Sequence, residues 1–177
     1  MITQNTRLVC LVHENFDDLE LWYPVIRLRE AGAQVDLAGE EAGREYTGKH
    51  GVPAVTEVSF RDLDPSLYDG VLTPGGWAPD KLRRYSEVKD FVRAMDSGKK
   101  LIGMICHAGW VQISAGILKG RQVTSTTAIR DDLENAGARW VDQEVVRDGH
   151  IISSRSPKDL PFYLREIIDF LGGEKHS

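Results

Sequence analysis

The chain has 177 residues, of which 41% are hydrophobic and 28% charged, a composition that suits one globular domain over 1–177 with a core needing no disulfide staples. Twenty-two lysines and arginines stand against 27 aspartates and glutamates, a net charge of −5, so nothing electrostatic draws the chain to nucleic acid. No apolar run approaches the roughly 20 residues that span a bilayer, MITQNTR lacks a signal-peptide pattern, and two cysteines without a CxxC pair point to a cytoplasmic protein with reduced thiols and no structural zinc.

Strands and helices alternate along the chain. Arg7–His13 is a short apolar run that reads as a strand buried on both faces. From Asp17 to Ala31, Leu19, Trp22, Tyr23, Ile26 and Leu28 recur at helical spacing until Gly32; Pro24 falls inside and predicts a kink. Gln34–Ala38 is the next strand, and Val55–Val58 a short one. Gly70–Thr73 is a strand running into Pro74-Gly75-Gly76. Ser86–Ser97 is a helix with Val88, Phe91, Val92 and Met95 on one face, and Leu101–Ile105 a buried strand. His107–Ala115 and Ile129–Ala136 read as helices closed by Gly116 and Gly137. Trp140–Val146 and His150–Ser154 flank Asp148-Gly149, a hairpin signal. Pro157–Leu171 closes the chain as a helix, and residues 172–177 read as a frayed tail.

This order predicts an α/β three-layer sandwich: a mostly parallel sheet with helices on both faces. Such sheets bind ligands beyond the carboxyl ends of their strands. Three segments follow predicted strands and so converge on one edge: His13–Glu20, Thr73–Asp80 and Ile105–Gly109.

Cys106 stands where LIGMI ends and a helix begins, the position of a nucleophile elbow. The positive end of the helix dipole favours its thiolate there; the alternative is a buried small hydrophobe. Cys10, mid-strand, reads as structural. His107 is next to the thiol, but neighbours on a regular helix do not face each other. A Cys–His pair therefore needs an irregular elbow. Asp17, Asp18 and Glu20 open the first helix, where acids cap and complement the dipole; one of them could instead turn inward to the thiol and stay protonated there. Gly75 and Gly76 allow backbone N–H groups to approach a substrate as an oxyanion hole, or simply make a tight turn. The remaining histidines form neither HxH nor HExxH, so no metal is implied.

Many ordered strings carry a resemblance. They include Asn15-Phe16-Asp17-Asp18-Leu19-Glu20-Leu21 with Tyr23-Pro24, Lys49-His50-Gly51, Pro74-Gly75-Gly76 with Ala78-Pro79, and Ile105-Cys106-His107 with Ser114-Ala115-Gly116. Thr124-Ser125, Asp131-Asp132, Trp140-Val141-Asp142 and Ser153-Ser154-Arg155 follow. On these the chain resembles the PfpI-type intracellular proteases and stress proteins of the DJ/ThiJ/PfpI superfamily, which share a flavodoxin-like core with class I glutamine amidotransferases. The resemblance implies Cys106 as nucleophile, His107 as its partner and Asp17 as the carboxyl bonded to the thiol. Asp80 of a neighbouring subunit would orient His107. Gly75, Gly76 and Ala108 would supply oxyanion or substrate contacts. Both carboxylates are aspartate where the family usually has glutamate. Ala108-Gly109-Trp110 replaces a common Gly-Pro-Gln string, and Thr126 stands where relatives often carry tyrosine, so Trp110 and Thr126 reshape the pocket.

The implied function is a cofactor-free, cysteine-dependent enzyme for small carbonyls or their adducts, of glyoxalase or deglycase type. An intracellular peptidase or amidase with a cross-subunit triad is the second reading. A redox-sensing stress protein with an oxidisable Cys106 is the third. The partners expected are a small-molecule carbonyl or a peptide, with a homo-oligomer (dimer or hexamer) and neither nucleic acid nor membrane.

Overall fold

The computed structural model describes residues 2 and 5–173. Its elements run β1 (Arg7–Leu11), α1 (Asp18–Glu30), β2 (Gln34–Gly39), β3 (Glu45–Thr47), β4 (Pro53–Val55), β5 (Val58–Ser59), β6 (Gly70–Thr73), α2 (Ala78–Leu82) and α3 (Ser86–Ser97). They continue with β7 (Leu101–Ile105), α4 (Gly109–Ala115), β8 (Gln122–Val123), α5 (Arg130–Asn135), β9 (Arg139–Trp140), β10 (Val145–Asp148), β11 (Ile151–Ser154) and α6 (Leu160–Gly172).

Seven strands form one sheet in the order β10-β11-β7-β6-β1-β2-β5. All neighbours are parallel except the β10–β11 hairpin. Helices α1 and α6 pack together on one face; α3 and α4 pack on the other, with α2 and α5 against α4. The expected flavodoxin-like sandwich is therefore the fold. Strands β1, β6 and β7 are apolar because both their faces are covered: Leu8, Val9, Leu11, Val71, Leu101 and Ile102 are fully buried. Each such side chain contributes about 1.5–3 kcal/mol of transfer free energy. Gly103 in β7 makes room for α6, since a Cβ there would lie 2.4 Å from Tyr163 Oη.

Several boundaries differ from expectation, each for a local reason. Helix α1 runs on through Pro24, which is buried; the missing N–H leaves one carbonyl a turn earlier without its usual donor, yet packing holds the helix. Helix α4 starts at Gly109, not His107, because Cys106 has φ 61° and the chain turns there. The predicted strand Val55–Val58 is two strands. Thr56 interrupts it, its hydroxyl bonding the carbonyls of Glu41 and Arg44. The predicted Ile129–Ala136 helix opens as a 3₁₀ turn over Thr127–Ile129. Trp140 leaves the β10–β11 hairpin and pairs instead with Val123 of β8. Of the tail, Gly172 ends α6 and Gly173 follows it; residues 174–177 lie outside the described residues. Among the described residues no helix is long and apolar enough to cross a membrane.

Candidate active site

Strand β1 lies beside β2 on one side and β6 on the other. The chain thus leaves β1 in one direction and returns on the other, opening a crevice at the carboxyl ends. Two of the three segments expected at this edge are stitched together. Phe16 and Gly76 form an isolated bridge, Trp77 N–H donates to Asn15 O at 2.8 Å, and Asp17 N–H to Gly75 O at 3.2 Å. Gly76 has φ 72°, and a Cβ on it would sit 2.4 Å from Asn15 O; only glycine fits that approach.

The chain turns sharply at Cys106, where β7 ends. Cys106 occupies the left-handed region, half-buried, a conformation that strains any residue with a Cβ. Its N–H donates to Ser154 O at 3.1 Å, and its carbonyl accepts from Thr126 N–H at 3.3 Å. This irregular turn brings two sequence neighbours face to face: Cys106 Sγ lies 3.2 Å from His107 Nδ1.

The three acids at the start of α1 have separate tasks. Asp17 is the N-cap: its Oδ1 accepts from the N–H groups of Leu19 and Glu20, and its Oδ2 pairs with Lys49 Nζ at 2.7 Å. Asp18 clamps the loop after β3, accepting from His50 N–H at 2.9 Å and Val52 N–H at 2.8 Å. Glu20 is the carboxyl that reaches the thiol. Its Oε2 accepts from Gly75 N–H at 2.8 Å, its buried Oε1 has no partner among the described residues, and the carboxyl interacts with the Cys106 thiol. The position expected for Asp17 is thus corrected. A residue just outside the helix turns its short side chain back to the free N–H groups, while Glu20, three residues on and one methylene longer, reaches the sheet edge. The shorter-acid departure does not apply at the thiol.

Other placements are equally specific. The N–H groups of Gly76 and His107 favour the thiolate of Cys106. Those of Gly75 and Ala108 are already used, by Glu20 and by Ile105 O, so neither is a free oxyanion donor. Trp110 anchors its Nε1 on Asp132 at 2.8 Å and lies beside the His107 ring, with Trp77 on the imidazole too. Asp80 is on α2, half-exposed and paired with Arg84 at 2.6 Å. Thr126 touches the elbow through its backbone. Sequence reasoning passed over Lys49 as a charge at this site, although it stood in one of the motif strings.

Electrostatics follow from this packing. Burial and the Asp17 charge push the Glu20 carboxyl up to about 8, against the opposing Gly75 N–H, so it keeps its proton at neutral pH. Burial, then the neighbouring Glu20, push the Cys106 thiol up to about 12, outweighing the His107 and Gly76 N–H groups. The expected depression of the thiol by the helix start is reversed: α4 begins three residues later, and desolvation dominates. Burial and the Lys49 charge hold His107 below the usual imidazole range.

Known proteins share this arrangement of chain. The DJ-1/PfpI family model matches residues 6–170. Deglycase TK1284 of Thermococcus kodakarensis is 42% identical over 165 residues, 93% of this chain and 99% of that protein. Deglycase PfpI of Pyrococcus furiosus is 41% identical over 165 residues, again 93% of this chain and 99% of its own length. The crystal structure of a two-domain protein with DJ-1/ThiJ/PfpI-like and ferritin-like domains from Anabaena variabilis has a TM-score of 0.93 at 33% identity. The match covers 96% of this chain and 49% of that one, so the chain spans about half of that protein.

Proposed function

The chain belongs to the DJ-1/PfpI family, and on that premise we propose that it is a deglycase-type enzyme of stress defence, using Cys106 against small reactive carbonyls or their adducts. Relatives named deglycases support the reaction class. The observation that carries the chemistry is the elbow itself: a thiol at φ 61°, 3.2 Å from His107 Nδ1 and beside a carboxyl that keeps its proton.

The sulfur adds to the aldehyde carbon of a 2-oxoaldehyde, and His107 takes the thiol proton. The N–H groups of Gly76 and His107, which favour the thiolate in the free protein, stabilise the alkoxide that forms beside the sulfur. Glu20 donates its proton to oxygen and then, as carboxylate, moves the C1 proton to C2 through the enediol. The resulting thioester of a 2-hydroxy acid is hydrolysed, returning the thiol. Methylglyoxal plus water gives lactate, with C1 oxidised and C2 reduced and no external electron acceptor.

The test is lactate release from methylglyoxal by wild type and Cys106→Ser side by side. Product from wild type alone is expected; equal product from both, or none from wild type, overturns the proposal. The peptidase reading needs a carboxylate on His107. Asp80 is paired with Arg84, so a second copy's Asp80 would have to leave that same partner to reach His107.

A further inference from the structure

We infer that Trp77 and Trp110 form an aromatic wall beside the reacting sulfur, and that this wall selects 2-oxoaldehydes whose ketone carbon carries a flat, uncharged aryl group. This names a substrate class for the site already described and rests on the carbonyl-enzyme reading.

Both indoles border the histidine that touches the sulfur. Trp77 directly follows Gly76, and its N–H is fixed on Asn15 O at 2.8 Å. Its ring lies 5.7 Å from the His107 ring, the planes tilted by 35°. Trp110 stands in the first turn of α4, its ring 5.2 Å from the same imidazole at 56°. That imidazole holds Nδ1 3.2 Å from Cys106 Sγ. End to end, these separations place each indole centre no more than about 10 Å from the sulfur; an aryl ring two carbons from the sulfur, pairing at roughly 4.5–7 Å between centroids, spans that gap. All the groups involved are reachable. Trp77 is 58% exposed, and Cys106, His107 and Trp110 are half-buried.

The surroundings favour a neutral aromatic group over a charged one. Lys49 acts on His107, and the Arg83 guanidinium lies 5.8 Å over the Trp110 ring, so a cationic group meets two like charges. The carboxylates that could offset it are taken: Asp17 by Lys49 and Asp132 by Trp110 Nε1. The two cations are themselves held, Lys49 by Asp17 and Arg83 by Ser114 Oγ at 2.8 Å. What the wall offers a ligand is π surface. Aromatic rings pair edge to face or offset, gaining more than their buried area alone. The Asp132 bond and the Arg83 contact fix the Trp110 ring, so little side-chain freedom is lost when a ligand meets it.

The experiment compares initial-rate kcat/KM for phenylglyoxal and methylglyoxal, each taken with one water to its 2-hydroxy acid, mandelate or lactate, with C1 oxidised and C2 reduced. Trp77→Ala removes an exposed ring, so the core stays intact. It is expected to lower the phenylglyoxal-to-methylglyoxal ratio by roughly three- to tenfold, the worth of one aromatic pair, and Trp77→Phe to restore most of it. An unchanged ratio in Trp77→Ala overturns the wall. A second readout needs no turnover: NMR of the indole N–H signals of wild type titrated with acetophenone or with cyclohexyl methyl ketone, neither of which is an aldehyde. The Trp77 signal is the one missing from Trp77→Phe. Acetophenone is expected to shift the Trp77 and Trp110 signals and to saturate at a several-fold lower concentration than the saturated ketone. Equal affinities, or no shift at Trp77, overturn the wall even if both aldehydes are consumed. Acetophenone-selective shifts without turnover of either aldehyde sustain the wall and reject the carbonyl-enzyme reading.

Discussion

Glu20 Oε2 accepts the backbone N–H of Gly75 at 2.8 Å, joining positions 55 residues apart. One bond ties the first helix to the loop after β6 and aims the rest of the carboxyl at Cys106. Two acids of the same helix start therefore face different ways: Asp17 caps the helix and Glu20 turns to the thiol.

Exchanging each for its amide tests that separation. Glu20→Gln is expected to lower lactate formation by roughly 10²- to 10⁴-fold, the usual worth of a positioned proton donor. Asp17→Asn still caps the helix and loses the Lys49 pair, so it should cost no more than about 1 kcal/mol of stability and keep most turnover. Rates and denaturant midpoints for both variants check this; the reverse ranking refutes the assignment.

Stability should also carry the mark of Glu20. Its pKa is raised by folding to about 8 from 4.5, so between those values the native state binds more protons than the unfolded one. The contribution is fully present below the unfolded pKa and is lost as pH rises through the folded one. Wild type is expected to lose stability, on the order of a few kcal/mol, from about pH 5 to about pH 8, and Glu20→Gln to lose markedly less. Urea denaturation at stepped pH gives the comparison.

The two thiols should label unequally with iodoacetamide. Cys10 is buried within β1 and Cys106 half-exposed at the elbow, so native protein should take label at Cys106 alone. The rate should keep climbing beyond pH 9, because burial and Glu20 push that thiol up to about 12. Removing the carboxylate in Glu20→Gln lowers the thiol's pKa and should speed alkaline labelling. Mass spectrometry of timed samples reads both effects.

Gly75→Ala should harm fold and site together. The added methyl would lie 2.4 Å from Glu20 Oε2 and 2.7 Å from Cys106 Cβ. A loss of about 1–3 kcal/mol is expected for such overpacking, with turnover falling further than stability explains. Thermal melts and lactate release measure the two.

The sheet was largely legible in the sequence. Gly70–Thr73, Ser86–Ser97 and Leu101–Ile105 have the bounds their apolar patterns predict, because central parallel strands and amphipathic helices write burial directly into residue type. The convergence of three loops at one edge followed from strand order. Strands β3 and β8 and the short helix α2 left no trace: strands of two or three residues and a helix of five hold less than two periods of their patterns. The choice among Asp17, Asp18 and Glu20 turns on side-chain direction, which spacing alone does not give. An aspartate immediately before a helical run is the ordinary N-cap, however, and that signal argued for Asp17 as a cap all along. The raised thiol was hidden because desolvation is set by packing, not by neighbours in the chain.

Cys106 sits at φ 61°, a backbone state that costs a side-chain-bearing residue about 1–2 kcal/mol and glycine almost nothing. Selection for heat resistance alone, with no demand on chemistry, would therefore replace the whole Cys106 side chain by hydrogen and leave a sturdier protein. A thiol at that position gives up resilience for the chemistry proposed for it, written in a single torsion angle.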